Sequence, residues 1–468
     1  MTEHLMTING ESQSSPDSFA VINPSTGEPF ARAPEATAAQ LDDAMAGAAQ
    51  AFRSWKRDDD ARRDALRLAA KAINEAVPQI ATLLTQEQGK PLNEAMFEVM
   101  GVGMWLQYYA DLEVEREILQ DDDAAFVEVV RRPIGVVAAI APWNFPLLLA
   151  SWKVAPALRA GNTVVLKPSP YTPLSSLAMV EVLNQALPPG VLNIVTGGDA
   201  LGAAMTAHPT PRKVSFTGSI SAGKKVAMAS AADLKRVTLE LGGNDPAIVL
   251  DDADPAVVGK QLFDAAFTNN GQTCVAVKRV YVPESLHDAV VEALVAEANS
   301  VVVGDGMDEA TKLGPIQNRP QFDRVTRLVD GALSSGARAA AGGAALDRPG
   351  YFFAPTILTD AADGTEIVDE EQFGPALPVI AYRDLDDAIE RANATTFGLG
   401  ASVWATDTER GEAVARQLDA GSAWVNTHAA LAPNLPFGGL KWSGVGVENG
   451  PWGYKGFTDM QLLNRRKK

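Results

Sequence analysis

Val136-Val137-Ala138-Ala139-Ile140-Ala141-Pro142-Trp143-Asn144-Phe145-Pro146 runs into Leu147–Arg159 and then Thr163-Val164-Val165-Leu166, and this stretch decides the fold. The apolar run from Val136 is too short for a helix and has no polar alternation, so it reads as a buried strand. Pro142 and Pro146 mark a turn, Leu147–Arg159 a helix, and Thr163–Leu166 a second strand. The rhythm continues outward: a helix over Leu174–Ala186, a strand over Val191–Val195, a helix over Leu201–Ala207, a strand over Lys213–Phe216 and a helix over Ala222–Ala231. Strands alternating with helices imply a mostly parallel, doubly wound sheet. Residues 244–420 repeat the pattern, with Ala247–Leu250, a helix over Val257–Asn269, Arg279–Val282, a helix over Leu286–Ser300, and so on to Trp404.

Upstream, residues 37–118 are helix-rich. Ala39–Trp55 and Arg62–Leu84 space apolar residues three and four apart, Gly89-Lys90-Pro91 ends that pair, and a third helix is expected over Asn93–Leu119. Asp121-Asp122-Asp123 reads as a solvated turn, residues 1–17 as a flexible tail, and residues 451–468 as an extended or hairpin tail finishing in Arg465-Arg466-Lys467-Lys468.

The 468 residues are 46% hydrophobic and 21% charged, enough for two or three domains with their own cores. Lys and Arg number 40 against 58 Asp and Glu, a net charge of −18. That balance repels phosphate backbones and anionic membranes, so no nucleic-acid or membrane partner is expected, although a local basic pocket could hold an anion. Cys274 is the only cysteine and the four histidines are scattered, which excludes an intrachain disulfide and leaves no legible metal cluster. No apolar signal core opens the chain. The uncharged run between Arg132 and Lys153 is broken by Pro133, Gly135, Pro142 and Pro146, so it is not read as a span, and cytoplasmic residence is the default expectation.

Three short stretches carry the chemistry. Cys274, in Gly271-Gln272-Thr273-Cys274, is either a small buried hydrophobe or a nucleophile with a stabilised thiolate. Glu240 ends the strand Val237–Leu239 and precedes two glycines, where a backbone can approach closely; alternatively it is a surface residue of a strand-to-loop turn. Asn144, between two prolines, could donate a side-chain N–H to a developing oxyanion, or simply cap the turn.

In combination these motifs resemble the aldehyde dehydrogenase superfamily from about residue 20 to 460. PWNFP at 142–146, KPS at 167–169, FTGS at 216–219, ELGG at 240–243, GQTC at 271–274 and EEQFGP at 370–375 occur in family order, and PFGGLKWSG at 436–444 closes the set. Glu240 and Cys274 stand 34 residues apart, the family's usual spacing. The resemblance implies an α/β fold: a Rossmann-type dinucleotide-binding domain at 1–119 and 134–241, an α/β catalytic domain at 242–450, and a small β oligomerisation hairpin from 120–133 and 451–468. It also implies that the Cys274 thiolate attacks an aldehyde to give a thiohemiacetal, with the oxyanion held by Asn144 and the backbone N–H of Cys274. Loss of hydride to nicotinamide leaves a thioester, and Glu240 activates the water that hydrolyses it. Glu448 and Lys153 match a family glutamate and lysine of a proton relay.

For the cofactor, Gly218, Ser219 and, five residues after Gly218, Gly223 open a helix after a strand, as a pyrophosphate-facing turn would. By resemblance Lys167, with Ser169 in its motif, binds the adenosine ribose. Glu371 binds the nicotinamide ribose beside Phe373, and Ile140, Trp143 and Leu241 line the cleft. Many NAD-preferring members carry a glutamate three residues after that lysine; here Pro170 stands there, which removes the charge that repels a 2′-phosphate, so NADP stays open beside NAD. No metal is implied. Phe145, Leu148, Trp152, Thr273, Val275, His428, Leu431 and Phe437 match the substrate tunnel, a mainly apolar and aromatic set suited to a medium-sized aliphatic or aromatic aldehyde. His428 could orient a polar tail, and Lys278-Arg279 is expected to leave the site on the next strand. Phe126–Arg131 and Lys455–Leu463 correspond to segments that make homodimers or homotetramers; a solvated hairpin within one subunit is the alternative. A CoA-acylating enzyme is disfavoured because such members commonly lack the base that Glu240 supplies. A catalytically silent binding or structural member is disfavoured by the retention of Cys274, Glu240 and Asn144, and a thioester hydrolase without redox chemistry is a remote alternative that cofactor dependence would separate.

Overall fold

The computed structural model describes residues 4–467. Two parallel sheets dominate it. The first has six strands in the order Gly444–Val445, Arg236–Glu240, Lys213–Thr217, Val136–Ile140, Thr163–Lys167 and Leu192–Ile194. All are parallel except Gly444–Val445, which runs antiparallel beside Arg236–Glu240. Val136–Ile140 is buried along its whole length, as a strand covered by helices on both faces requires. Chain order reverses between Val136–Ile140 and its neighbour Lys213–Thr217, and such a switch point opens a crevice at the carboxyl ends of the strands. Pro142-Trp143-Asn144 follows one of those ends and Gly218-Ser219 the other.

The second sheet orders seven strands as Arg338–Ala341, Thr356–Thr359, Ala376–Tyr382, Val277–Pro283, Asp245–Val249, Gly400–Trp404 and Ser422–Val425, all parallel except the first. Its two central strands, Asp245–Val249 and Val277–Pro283, begin just after Gly242-Gly243 and Cys274, so their amino ends face the carboxyl ends of the first sheet. A third sheet is antiparallel: Thr458–Arg466, Ala125–Pro133 and Glu117–Asp121. Among the described residues no helix is long and apolar enough to cross a membrane.

Four expectations are corrected. Residues 6–13 form a hairpin, Met6–Ile8 against Glu11–Gln13, rather than a flexible tail. Asn9 (φ 56°) and Gly10 (φ 82°) make its two-residue turn, and Met6 and Ile8 are fully buried in the first core. The stretch Arg62–Leu84 is two helices, Asp59–Glu75 and Val77–Gln88, because Pro78 lacks an N–H and its ring would clash inside a continuous helix. The helix starting at Leu92 stops at Asp111, and Glu117–Asp121 pairs with Ala125–Pro133 instead, placing Asp122 and Asp123 in the hairpin turn. Residues 451–468 begin inside a short helix, Gly450–Gly456, before the strand Thr458–Arg466; Lys468 lies outside the described residues.

Candidate active site

Cys274 sits on a tight turn between the helix Pro255–Phe267 and the strand Val277–Pro283. Asn269 (φ 51°), Asn270 (φ 57°) and Gly271 (φ 72°) are successive left-handed residues, a backbone that Asn and Gly tolerate best. A Cβ on Gly271 would lie 2.3 Å from the carbonyl oxygen of Gly374. The turn is held by its own amides: Gln272 Nε2 donates to Asn269 O (3.0 Å) and Gln272 Oε1 accepts from Gln317 N (2.8 Å).

Asn144 is buried opposite this turn. Its Nδ2 donates to Gln272 O (3.0 Å), leaving the second N–H for a ligand. Its carbonyl is clamped by Lys90 Nζ (2.8 Å) and Asn269 Nδ2 (3.0 Å). Lys90 forms a buried ion pair with Glu98 (2.5 Å), and Glu98 Oε1 accepts the first free N–H groups of the helix Pro146–Arg159, from Leu147 (2.9 Å) and Leu148 (3.3 Å). One ion pair thus fixes both the turn that carries Asn144 and the helix that follows it.

A cleft of about 480 Å³ joins the two sheets. Asn144 and Cys274 line it together with Trp143, Ser219, Glu371 and Phe373. Trp143 and Phe373 meet edge to face at 5.2 Å, and Ser219 caps the helix Ile220–Ala231 through Ala222 N (3.2 Å), so the helix amino terminus opens on the cleft. Close backbone approach is built in: a Cβ on Gly242 would fall 2.2 Å from Glu371 Oε2, and one on Gly223 would fall 2.5 Å from Leu241. Glu371 Oε1 accepts from Gly243 N (3.0 Å). Gly218 and Leu241 also line the cleft, whereas Ile140, Lys167, Ser169 and Gly223 are not among its lining residues. Ile140 and Lys167 are strand neighbours at the end of the first sheet, and Ser169 Oγ accepts from Tyr171 N (3.2 Å). Burial pulls the Lys167 ammonium down to about 8, against the carboxylates of Asp199 and Glu35.

Glu240 lies beneath the cleft, buried, with neither side-chain oxygen hydrogen-bonded. Burial, reinforced by Glu448 and opposed by Lys153, holds its carboxyl well above the usual range. Lys153 Nζ donates to Glu448 Oε1 (2.7 Å) and to Thr217 Oγ1 (2.7 Å), and Thr217 lines the cleft. Both charged side chains are fully buried. Ser215 Oγ reaches the same Glu448 oxygen at 3.3 Å.

The eight tunnel residues separate into two groups. Phe145, Leu148, Trp152, Leu431 and Phe437 belong to the first core, where Trp152 stacks on Trp105 (5.7 Å) and meets Phe437 edge-on (5.4 Å). Val275 is buried there too, yet with Thr273 and His428 it lines a second cavity of about 360 Å³. The imidazole of His428 is fully buried and its Nε2 bonds Val275 O (2.5 Å); burial takes it down to about 3, so it is neutral and serves the backbone.

Lys278 is a correction. It does not leave on the strand but turns back under Cys274, where its Nζ donates to Thr273 O (2.9 Å) and Cys274 O (2.6 Å). Gln321 and Arg324 were not legible in the sequence either. They sit one turn apart on the helix Arg319–Ser334 and hold the loop carrying Glu371, Gln321 Nε2 on Gln372 O (2.8 Å) and Arg324 Nη2 on Glu371 O (3.1 Å). Nothing local marks them, because their partners lie about fifty residues on.

A crevice at a sheet switch point, an anion-accepting helix terminus and a cysteine beside an amide donor define a dinucleotide-dependent oxidoreductase. The comparisons agree with it: the sequence model of the aldehyde dehydrogenase family matches residues 11–463, and the chain belongs to that family. It is 39% identical to retinaldehyde dehydrogenase 3 of Rattus norvegicus, over 95% of this chain and 89% of the relative. It is 38% identical to phenylacetaldehyde dehydrogenase of Pseudomonas fluorescens, over 98% and 95%. The NAD+ complex of an aldehyde dehydrogenase from Bacillus cereus superposes with a TM-score of 0.97 at 36% identity, covering 100% of this chain and 97% of that one.

Proposed function

We propose that the protein oxidises a medium-sized aliphatic or aromatic aldehyde to its acid by covalent catalysis at Cys274, with NAD as the favoured cofactor. The observation that carries this reading is the single cleft shared by Cys274, Asn144, Glu371 and the amino terminus of Ile220–Ala231. The Cys274 thiolate adds to the aldehyde carbon, and the free N–H of Asn144 and the Cys274 amide receive the oxyanion. Bound in the cleft, nicotinamide supplies the hydride acceptor, and the acyl group is left as a thioester on Cys274. Glu240, unbonded and proton-hungry, takes a proton from the hydrolytic water. The hydrogen-bonded line Thr217, Lys153 and Glu448 is assigned to onward transfer of that proton, reached through solvent because no direct hydrogen bond joins it to Glu240.

Ser219 and the helix terminus hold the pyrophosphate, Glu371 the nicotinamide ribose and Lys167 the adenosine ribose. The carboxylates of Asp199 and Glu35 facing Lys167 favour NAD, because a 2′-phosphate there would meet them, even though Pro170 offers no charge of its own. The relatives named for retinaldehyde and phenylacetaldehyde support an apolar aldehyde body. The proposed division is a dinucleotide-binding part (1–119, 134–241), a catalytic part (242–450) and oligomerisation segments (120–133, 451–468). The strands within 134–241 and 245–425 support its two large parts, while Gly444–Val445 crosses the boundary to join the first sheet and Glu117–Asp121 joins the third.

The test is reduced-nicotinamide formation with NAD and NADP in parallel, across aliphatic, aromatic and carboxylated aldehydes, without and then with CoA. Turnover with NAD and apolar aldehydes in the absence of CoA is expected. Strict CoA dependence would replace the hydrolytic reading with acyl transfer.

A further inference from the structure

We propose that Lys278 is a positioning residue for the nucleophile: folded back under Cys274, its ammonium gathers the carbonyls of the cysteine turn and ties that turn to the carboxylate of Glu371. The inference rests on the reading of Cys274 as the nucleophile.

A bulge creates the geometry. Between the strands Asp245–Val249 and Val277–Pro283, Asp245 pairs with Val277 but Pro246 pairs with Arg279, so Lys278 is the extra residue. A bulge breaks the alternation of side chains and re-aims one of them. Lys278, nearly fully buried, points toward the cysteine turn and donates to Cys274 O (2.6 Å), Thr273 O (2.9 Å) and Ala276 O (3.4 Å). Its Nζ also lies 3.6 Å from Glu371 Oε1, the oxygen that accepts the N–H of Gly243. One cation therefore touches the turn that carries the thiol and the side chain that faces the cofactor cleft.

The charges around it make the cation effective. Burial pushes the Cys274 thiol up to about 12; Lys278 is the leading opposing influence, while Glu371, Asp245 and Glu240 add to the upward push. Asp245 is itself pushed up to about 8 by burial and Glu371 is raised for the same reason. His428, the remaining titratable group facing Lys278, is neutral. Below about pH 8 burial keeps the Asp245 carboxyl protonated, so over that range it does not cancel the Lys278 ammonium beside Cys274.

The test is the pH profile of Cys274 alkylation by iodoacetamide in the cofactor-free full-length protein, where Sγ displaces iodide and no other cysteine competes. Lys278→Gln retains N–H donors for the carbonyls and removes only the charge; Lys278→Arg retains both; Lys278→Met removes both. The expected result is alkylation about tenfold slower in Lys278→Gln at every fixed pH on the rising limb of the profile, the displacement of that limb by about one pH unit, with recovery in Lys278→Arg. Saturating NAD should change the alkylation rate of the wild type and lose that effect in Lys278→Gln. A Lys278→Gln profile and NAD response equal to wild type would overturn the proposal, whatever Lys278→Met does. Complete alkylation of the wild type that leaves aldehyde oxidation intact would instead remove the nucleophile reading.

Discussion

Glu240 is a buried carboxyl that no other protein group hydrogen-bonds, and on the proposed reading that leaves both oxygens for the hydrolytic water. Its folded-state affinity for protons is raised by burial first and by Glu448 second, and lowered by Lys153. Activity limited by the ionised form of Glu240 therefore rises with pH through an elevated midpoint. Glu448→Gln removes the repelling charge and leaves Lys153 free to favour the carboxylate, so the acid limb of the kcat profile should move to lower pH; an unmoved or raised limb would contradict the assigned couplings. Glu240→Gln removes the base but leaves Cys274 and Asn144 in place. It should preserve a rapid burst of reduced cofactor and slow the following steady state by about 10²–10⁴-fold, read by stopped-flow absorbance. Cys274, Glu240 and Asn144 could be singled out as candidates because each sits in a short motif of fixed order. Lys278 was not, because a strand's alternation is the rule by which a sequence is read and the bulge suspends that rule at this residue. The Lys90–Glu98 pair was hidden for another reason: its meaning lies in contacts made with Asn144 and Leu147, about fifty residues further along.

At the scale of elements, the helix Pro146–Arg159 depends on a borrowed cap. Its own preceding residue, Phe145, supplies no side-chain cap, and Glu98 takes that role from a different helix. Glu98→Gln leaves Lys90 as a buried cation without its counter-charge, which should cost about 3–5 kcal/mol in denaturant unfolding. Because the same pair clamps the carbonyl of Asn144, the variant should also lose kcat more than it raises KM for the aldehyde. Equal stability, or a pure KM effect, would detach the pair from the turn that carries Asn144. The alternating strands and helices of both large sheets could be read from periodicity alone, since fully buried parallel strands are short apolar runs. Element ends were harder. The break at Ala76 was signalled by Pro78, and the first hairpin by Asn9-Gly10, yet each lay within a stretch whose composition pointed elsewhere: apolar spacing in one case, polar residues in the other.

At the scale of the whole molecule, the three-stranded sheet stands apart in composition. Leu462, Leu463 and Met460 on the strand Thr458–Arg466, and Ile118 and Leu119 on Glu117–Asp121, are exposed. An exposed strand with a row of apolar side chains is a surface for another chain. If the segment joins copies of this protein, Leu462→Glu should lower the assembly mass in sedimentation equilibrium without unfolding the subunit; an unchanged mass would favour the hairpin as a solvated feature of one subunit.

The strand Gly444–Val445 lies beside Arg236–Glu240 in the first sheet, with Gly444 opposite Glu240, and Glu448 follows it by three residues. A ribosome making this chain completes five parallel strands of that sheet by residue 240, and then adds the whole second sheet before the sixth strand exists. The first sheet therefore keeps an open edge, and Lys153 lacks its carboxylate partner, until the second sheet has been made and residues 444–448 follow it. Order of synthesis and order of completion are opposed for the two sheets: the one begun before the other is completed after it, and a nascent chain stalled after the second sheet would carry Cys274 without the carboxylate that pairs with Lys153.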